Sequence, residues 1–206
     1  MRCLMCGSAI GGSADLCETL FWDDLLCRKC RKQWTADRHR FRISGVRGYS
    51  SYLYNQAFSK CLIQYKELGD EALADVFLFR ERKRLRHLFR GRTLVLMPST
   101  AEKLQERGFS HLQLMFGCLG MNMTEPFVKL PGTEQKRLGA VQRKQIMQRI
   151  RLKEDAEIPD RIVLCDDLIT TGSTLRSALN CLSRDIDMMI YACAYVPEHG
   201  SGHQPP

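Results

Sequence analysis

No stretch of apolar residues in this chain approaches the roughly 18 that a membrane-spanning helix needs. The N-terminus has no apolar core of the kind that defines a secretory signal peptide, because Gly, Ser and Asp follow its first cysteines closely. We therefore predict a cytoplasmic protein without a membrane span. A reducing cytoplasm also accounts for the ten cysteines better than a set of disulfides would.

The chain contains no G-x-x-x-x-G-K-[S/T] segment, which excludes a Walker A loop as its phosphate site. Its 206 residues are enough for one hydrophobic core and a small appendage. The net charge of +8 favours a polyanionic partner or anionic ligands. Composition therefore points to a globular protein that meets negative charge, but it does not distinguish an enzyme from a binding protein.

Short apolar runs of strand type alternate with segments of helical spacing. The runs at 46–54, 93–97, 162–165 and 188–196 predict strands, and the spacing at 55–65, 111–119 and 174–182 predicts helices. Residues 102–110 are polar and charged and include a glycine, and we place Arg107 in a polar loop. This alternation predicts an α/β fold with a mostly parallel sheet flanked by helices.

The most informative segment is R-I-V-L-C-D-D-L-I-T-T-G-S-T at 161–174, where two carboxylates follow a buried strand. Ligands of parallel α/β sheets bind beyond the carboxyl ends of the strands. Backbone N–H groups of such a loop, together with a helix N-terminus, favour an anion. The carboxylates suit two sugar hydroxyls and the loop hydroxyls suit a phosphate. The alternative is that the aspartates cap an ordinary turn. The predicted site comprises Asp166, Asp167, Thr170, Thr171, Gly172, Ser173 and Thr174.

Two C-x-x-C units lie near the N-terminus, Cys3 with Cys6 and Cys27 with Cys30, and 20 residues separate them. This spacing predicts a structural zinc ribbon or knuckle with four thiolate ligands. Zinc would supply the folding free energy that this small segment lacks. Coincidental cysteines are the alternative, and Cys17 is either a substitute ligand or without a role. We divide the chain into a zinc-binding module at 1–42, an α/β domain at 43–198 and a disordered tail at 199–206.

The segment 162–174 closely resembles the phosphoribosyl diphosphate signature of type I phosphoribosyltransferases. The resemblance implies that Asp166 and Asp167 hold the ribose 2′- and 3′-hydroxyls, with Mg²⁺ nearby. It also implies that residues 170–174 surround the 5-phosphate.

A cysteine-rich module before such a domain resembles the ComF family, which is linked to DNA uptake in competent bacteria. Residues 64–66 (Gln, Tyr, Lys) with Gly69 and Asp70 resemble its lysine-containing loop, and 106–110 resemble its R-G-F loop. Ser and His at 110–111 replace an amide pair of the family motif, and 133–143 resemble its late basic segment. Lys66 would then meet the diphosphate, and Arg107 would lie in a loop that closes over the ligand. Otherwise both are ordinary surface cations.

The resemblance implies a competence protein that acts in DNA uptake and natural transformation. Such a protein would bind phosphoribosyl diphosphate, and its further partners would be single-stranded DNA and a helicase-like translocase. The basic run at 80–92 is one candidate for the DNA contact, although Phe89 is its only aromatic residue. The first alternative is an active phosphoribosyltransferase acting on a nucleobase-like acceptor. The second is a zinc-ribbon regulator with phosphoribosyl diphosphate as effector.

Overall fold

The computed structural model describes residues 1–10, 24–130 and 150–197. Three of the predictions fall outside the described residues: the role of Cys17, the late basic segment 133–143 and the tail at 199–206. None of the helices in the described ranges has the length and apolar character needed to cross a membrane.

Helices and strands alternate along most of the described chain. The α-helices are α1 (Arg28–Lys32), α2 (Gln56–Lys66), α3 (Arg82–Leu88), α4 (Ala101–Arg107), α5 (His111–Gly117) and α6 (Ser173–Leu179). The strands are β1 (Arg40–Ile43), β2 (Val46–Leu53), β3 (Thr93–Leu96), β4 (Met123–Thr124), β5 (Phe127–Lys129), β6 (Ile150–Leu152), β7 (Arg161–Ile169) and β8 (Asp187–Tyr195). A 3₁₀ helix, Glu71–Phe77, lies between α2 and α3.

The main sheet has the strand order β1-β2-β8-β7-β3-β4, and β5 and β6 form a separate antiparallel pair. Only β1 and β2 are antiparallel within the main sheet, and the other neighbours are parallel. Central strands of such a sheet are covered on both faces, so they read as continuous apolar runs. Accordingly, Leu94, Val95 and Leu96 of β3 are fully buried. The predicted mostly parallel α/β sheet with flanking helices is confirmed.

The first hairpin ties the N-terminal segment to the sheet. β1 and β2 are joined by Ser44 and Gly45, both with positive φ, as a type I′ hairpin turn requires. The predicted division after residue 42 falls inside β1. Trp34 contacts the rings of Tyr52 and Phe58, so the segment before the hairpin shares the core of the sheet.

The loop predicted around Arg107 begins later than expected, because α4 occupies Ala101–Arg107. Glu, Lys, Gln, Leu and Arg are all good helix formers, although every residue of α4 except Arg107 is exposed. The Thr100 side chain accepts a hydrogen bond from the Lys103 amide at its start, and Gly108 ends it in the left-handed conformation. Helix propensity and capping therefore outweighed the polar character that favoured a loop.

The strand predicted at 162–165 extends further, so that both aspartates belong to β7 rather than to a following loop. The parallel ladder with β8 continues beyond them, pairing Asp166 with Ala192 and Ile169 with Tyr195. Pairing with the nine-residue strand β8 sets the end of β7. The carboxylates do not interrupt this pairing, because the side chains of a strand point away from its backbone hydrogen bonds.

Candidate functional site

A cavity of about 410 Å³ opens at the carboxyl ends of β3 and β7, where ligands of parallel sheets bind. Five of the residues predicted for the ligand site border it: Lys66, Arg107, Asp166, Asp167 and Thr174. The rest of the predicted loop adjoins this wall, with Thr170, Thr171 and Ser173 exposed and Gly172 buried. The fold thus brings the end of α2, the end of α4 and the end of β7 to one place.

Asp167 is the buried carboxylate of the site and contacts two basic side chains. The Lys66 Nζ atom donates to its Oδ2 atom at 2.8 Å, and His111 Nε2 lies 3.7 Å from its Oδ1 atom. Burial alone would raise the pKa of Asp167, but the contacts with His111 and Lys66 bring that pKa well below its usual range. Asp167 is therefore ionised at neutral pH.

Asp166 is the half-buried partner of Asp167 and has no basic side chain in an ion pair with it among the described residues. Its Oδ1 atom accepts a hydrogen bond from the Asp167 amide at 2.9 Å. Burial and the neighbouring Asp167 charge raise the pKa of Asp166 well above its usual value. When deprotonated, Asp166 could contribute one of the oxygen ligands that Mg²⁺ takes.

Arg107 does not lie in the polar loop where the sequence analysis placed it. It ends α4, and its side chain is only 4% exposed. Its Nε atom donates to the Lys66 carbonyl at 2.7 Å, and its NH1 atom donates to His111 Nδ1 at 3.0 Å. Through these part-buried hydrogen bonds the arginine holds the Lys66 backbone and the His111 ring in place.

His111 is a residue of the site that the sequence analysis did not assign. Because Nδ1 accepts from Arg107, we assign the proton of the neutral ring to Nε2, which faces Asp167. Burial lowers the pKa of His111, so the ring is neutral at pH 7. Lys66, Asp167, His111 and Arg107 thus form a closed ring of contacts. The only sign of it in the sequence was that Ser and His at 110–111 replace an amide pair of the ComF family motif.

The loop before α6 depends on a glycine. Gly172 has a φ of +67°, and a Cβ added there would lie 2.8 Å from the Ile43 Cδ1 atom. Arg176 of α6 reaches back and donates to the Thr171 carbonyl. Arg176 is an exposed cation next to the predicted phosphate loop, and the sequence analysis missed it because helical spacing, not the motif, brings it there.

Replacement of Gly172 by alanine is expected to destabilise the protein by about 1–2 kcal/mol from the left-handed backbone alone, with an added contribution from contact with Ile43. The Gly172→Ala/Ile43→Val double variant removes the Cδ1 atom but not the backbone strain. We expect it to lose less stability than the sum of its single changes. Urea unfolding of the four proteins measures the coupling, and strict additivity would contradict the contact.

The four predicted cysteines also meet, in a second site near the N-terminus. The Sγ atoms of Cys3, Cys6, Cys27 and Cys30 all lie within 4.8 Å of one another. The Cys6 and Cys27 Sγ atoms are 3.7 Å apart, close to the edge of about 3.8 Å that a tetrahedron with Zn–S bonds of about 2.3 Å has. Hydrogen bonding to Ser8 lowers the pKa of Cys6 to about 6, which favours the thiolate. The cluster could hold a zinc ion.

The basic run at 80–92 forms α3 and its flanks. Its charge is partly neutralised, because Arg80, Arg84 and Arg92 contact Asp24, Glu81 and Asp187 respectively. Lys83, Arg86 and Arg90 are exposed to solvent. Phe89, the only aromatic residue of this run, is fully buried and offers no surface for base stacking.

Comparison with known proteins places the chain near one group of bacterial proteins. It is 28% identical over 159 residues to competence protein ComFC of Bacillus subtilis (strain 168), covering 76% of this chain and 65% of that protein. It is 25% identical over 131 residues to competence protein ComFC of Streptococcus pneumoniae (strain ATCC BAA-255 / R6), covering 64% and 59%. The chain therefore spans less than two thirds of the length of these curated relatives. No family model matches it.

Two solved structures align with the fold. A hypoxanthine phosphoribosyltransferase from Staphylococcus aureus aligns over 62% of this chain and 75% of its own, with a TM-score of 0.39 and 12% identity. An orotate phosphoribosyltransferase from Aeropyrum pernix aligns over 78% and 88%, with a TM-score of 0.31 and 14% identity. The predicted resemblance to ComFC proteins is confirmed by the sequence similarity, and the chain is ComFC-like.

Proposed function

We propose that this ComFC-like protein binds 5-phosphoribosyl 1-diphosphate together with Mg²⁺ in the cavity at the ends of β3 and β7. The observation that supports this most directly is the meeting of Lys66, Asp166, Asp167 and Thr174 around one cavity. A phosphoribosyl diphosphate needs acceptors for its ribose hydroxyls and donors for two separate phosphate groups. Carboxylates, an ammonium and a hydroxyl-rich loop supply these groups.

Each part of the site has a separate task in this proposal. Asp166 and Asp167 accept hydrogen bonds from the ribose 2′- and 3′-hydroxyls and hold Mg²⁺, which neutralises diphosphate charge when bound. The loop hydroxyls at 170–174 donate to the 5-phosphate, and three of them are exposed for that contact. Arg176 adds a positive charge next to the loop.

Lys66 changes partner in this proposal. It is paired with Asp167 at 2.8 Å, and its side chain is 21% exposed, so the ammonium can turn toward an arriving diphosphate. Asp167 would then be free to face the ribose and the metal, while His111 keeps a contact with it. Arg107 acts as a positioning residue, because it holds the Lys66 carbonyl and the His111 ring.

The test is calorimetric titration of phosphoribosyl diphosphate with Mg²⁺ into the zinc-loaded protein and into an Asp166→Asn/Asp167→Asn variant. We expect binding by the wild type and at least about a hundredfold weaker binding by the variant, since charge-assisted hydrogen bonds to two hydroxyls contribute about 1.5–3 kcal/mol each. Asp155→Asn/Asp160→Asn removes the same charge from exposed positions and should bind normally. A folded wild type that binds nothing refutes the ligand.

For the biological role, we propose action in DNA uptake during natural transformation, in the cytoplasm. Single-stranded DNA and a helicase-like competence protein are its proposed partners. The ComFC similarity and the net charge of +8 support this assignment. Deletion of the gene should reduce transformation by DNA, and restoration by the Asp166→Asn/Asp167→Asn variant would show that the ligand site is dispensable for uptake.

A second candidate is phosphoribosyl transfer to a nucleobase-like acceptor. The observation that favours it is that Lys103 of α4 and Lys129 of β5 border the same cavity as Lys66. The small β5–β6 sheet therefore contributes to the rim where an acceptor would approach the ribose C1 atom. Release of diphosphate on incubation with a panel of nucleobases would establish turnover, and ligand binding without release would leave the binding role alone.

A further inference from the structure

Arginines are concentrated on one face of the β1–β2 hairpin, at the edge of the main sheet. In the antiparallel register, Arg40 is opposite Tyr49 and Arg42 is opposite Arg47. Residues directly opposite each other lie on the same face of a sheet, as do residues two apart in one strand. Arg40, Arg42, Arg47 and Tyr49 therefore share a face, and the three arginines are exposed.

Arg38 belongs to the same surface through its contacts. It lies 3.5 Å from Glu81, which also pairs with Arg84, and Arg84 donates to the Ser51 hydroxyl at 3.2 Å. Ser51 lies two residues after Tyr49 in β2 and thus on the same face. The side chain of Arg38 is 67% exposed. We call Arg38, Arg40, Arg42 and Arg47 the arginine face.

The arginine face has little negative charge around it. Glu81 is buried and shared by two arginines. Among the described residues, no carboxylate forms an ion pair with Arg40, Arg42 or Arg47. Arg42 and Arg47 are directly opposite at the end of a tight hairpin, where like charges destabilise strand pairing. Arg42 donates to the Gly45 carbonyl at 3.0 Å, and an anion between the two guanidinium groups would offset their mutual repulsion.

We propose that the arginine face binds the phosphate backbone of a single-stranded nucleic acid. This rests on the nucleic-acid partner of the proposed function and assigns a surface to it. Arg40 and Arg42 are two positions apart in β1, or about 6.6–6.8 Å, which is comparable with the distance between neighbouring phosphates of an extended nucleic-acid strand. Tyr49 is half-buried opposite Arg40, and it and the guanidinium planes offer surfaces for base stacking.

Two other assignments fit the structure less well. A membrane surface is usually met by basic residues together with exposed apolar anchors. The exposed large apolar side chains of the described residues lie elsewhere: Met1, Ile63, Leu68, Leu104, Leu114 and Val128. The basic run at 80–92 has three of its arginines in contact with carboxylates. The hairpin differs because its strand register places Arg40, Arg42 and Arg47 together on one face, and none of the three is in an ion pair with a carboxylate of the described residues.

The test compares two triple variants that remove the same charge. Arg40→Ala/Arg42→Ala/Arg47→Ala changes the arginine face, and Lys83→Ala/Arg86→Ala/Arg90→Ala changes the exposed residues of the run at 80–92. Binding of a fluorescein-labelled oligothymidylate is followed by anisotropy over a series of salt concentrations. For the hairpin variant we expect at least about tenfold weaker binding at low salt. The salt slope should fall by about 2, since each single-strand phosphate contact contributes about 0.7. The helix variant should bind within about threefold of the wild type.

Titration with phosphoribosyl diphosphate and Mg²⁺ separates this inference from the ligand proposal. The hairpin variant should bind that ligand like the wild type, which also shows that it is folded. Equal losses of DNA binding in the two triple variants, or tighter binding to phosphatidylserine vesicles than to DNA, would overturn the arginine face. If the wild type does not bind DNA at low salt, both this inference and the proposed DNA partner are refuted. If the wild type binds DNA but not phosphoribosyl diphosphate, the ligand proposal fails and the arginine face stands.

Discussion

Replacement of Arg31 by alanine is expected to lower the free energy of unfolding by about 3–5 kcal/mol, the usual effect of breaking a buried ion pair. The Arg31 Nε and NH2 atoms donate to the two carboxylate oxygens of Asp24 at 2.7 and 2.6 Å. The side chains are 5% and 1% exposed, so the substitution leaves a buried charge. Arg80 lies 3.8 Å from Asp24 and should keep the loss near the lower limit. Urea unfolding of the zinc-loaded protein measures it.

The same ion pair connects the N-terminal segment to the rest of the core, since Arg31 also donates to the Val76 carbonyl at 3.1 Å. Lys29→Ala, an exposed change in the same helix, should alter stability by less than about 0.5 kcal/mol. Arg31→Met/Asp24→Leu removes both charges, and we expect it to be more stable than Arg31→Ala. A double variant as unstable as the single one would show that packing, not the uncompensated charge, dominates.

Removal of zinc is expected to have an effect of similar size. Cys3 and Cys30 are buried and belong to the main core cluster, so disorder at the four thiolates would expose apolar surface beyond the module itself. A ligand present at a thousand times its Kd stabilises a fold by about 4 kcal/mol. We expect Cys30→Ser to bind less than stoichiometric zinc and to unfold at a lower temperature. Metal analysis and thermal unfolding with and without a chelator check both.

A matched cysteine separates metal binding from the loss of a thiol. Cys118→Ser changes a half-buried cysteine outside the cluster, and this variant should keep its zinc and its response to the chelator. If the wild type contains no zinc and the chelator does not change its unfolding temperature, the four thiols are not a zinc site. If Cys30→Ser binds less than stoichiometric zinc but unfolds at the wild-type temperature, zinc contributes little to the stability of the fold.

The sequence predicted best those features whose residues are neighbours along the chain. Two C-x-x-C units each span one turn of backbone, so the pairing of cysteines within each unit needs no long-range information. Apolar runs likewise identified β3, β7 and β8 because central parallel strands are buried on both faces. The boundary errors at β7 and α4 arose where strand pairing and helix capping, not composition, set the end of an element.

The ends of elements also changed the roles of residues. The sequence analysis placed Arg107 in a polar loop that closes over the ligand. With α4 in place, its guanidinium is buried against Lys66 and His111. His111 itself begins α5, and nothing in its neighbours along the chain indicates a carboxylate 3.7 Å away. A single histidine carries no periodic signal, so only its position in the fold could assign it.

Adjacent residues of this chain therefore determined its chemistry: two carboxylates and a hydroxyl-rich loop at 166–174, and four thiols in two pairs. The tertiary structure decided what that chemistry meets. The Lys66–Arg107 and Lys66–Asp167 contacts join residues 41 and 101 positions apart. The arginine face exists only because the register of β1 and β2 sets Arg42 opposite Arg47. Propensity and motifs act over a few residues, whereas strand register and helix docking depend on the packing of the whole core.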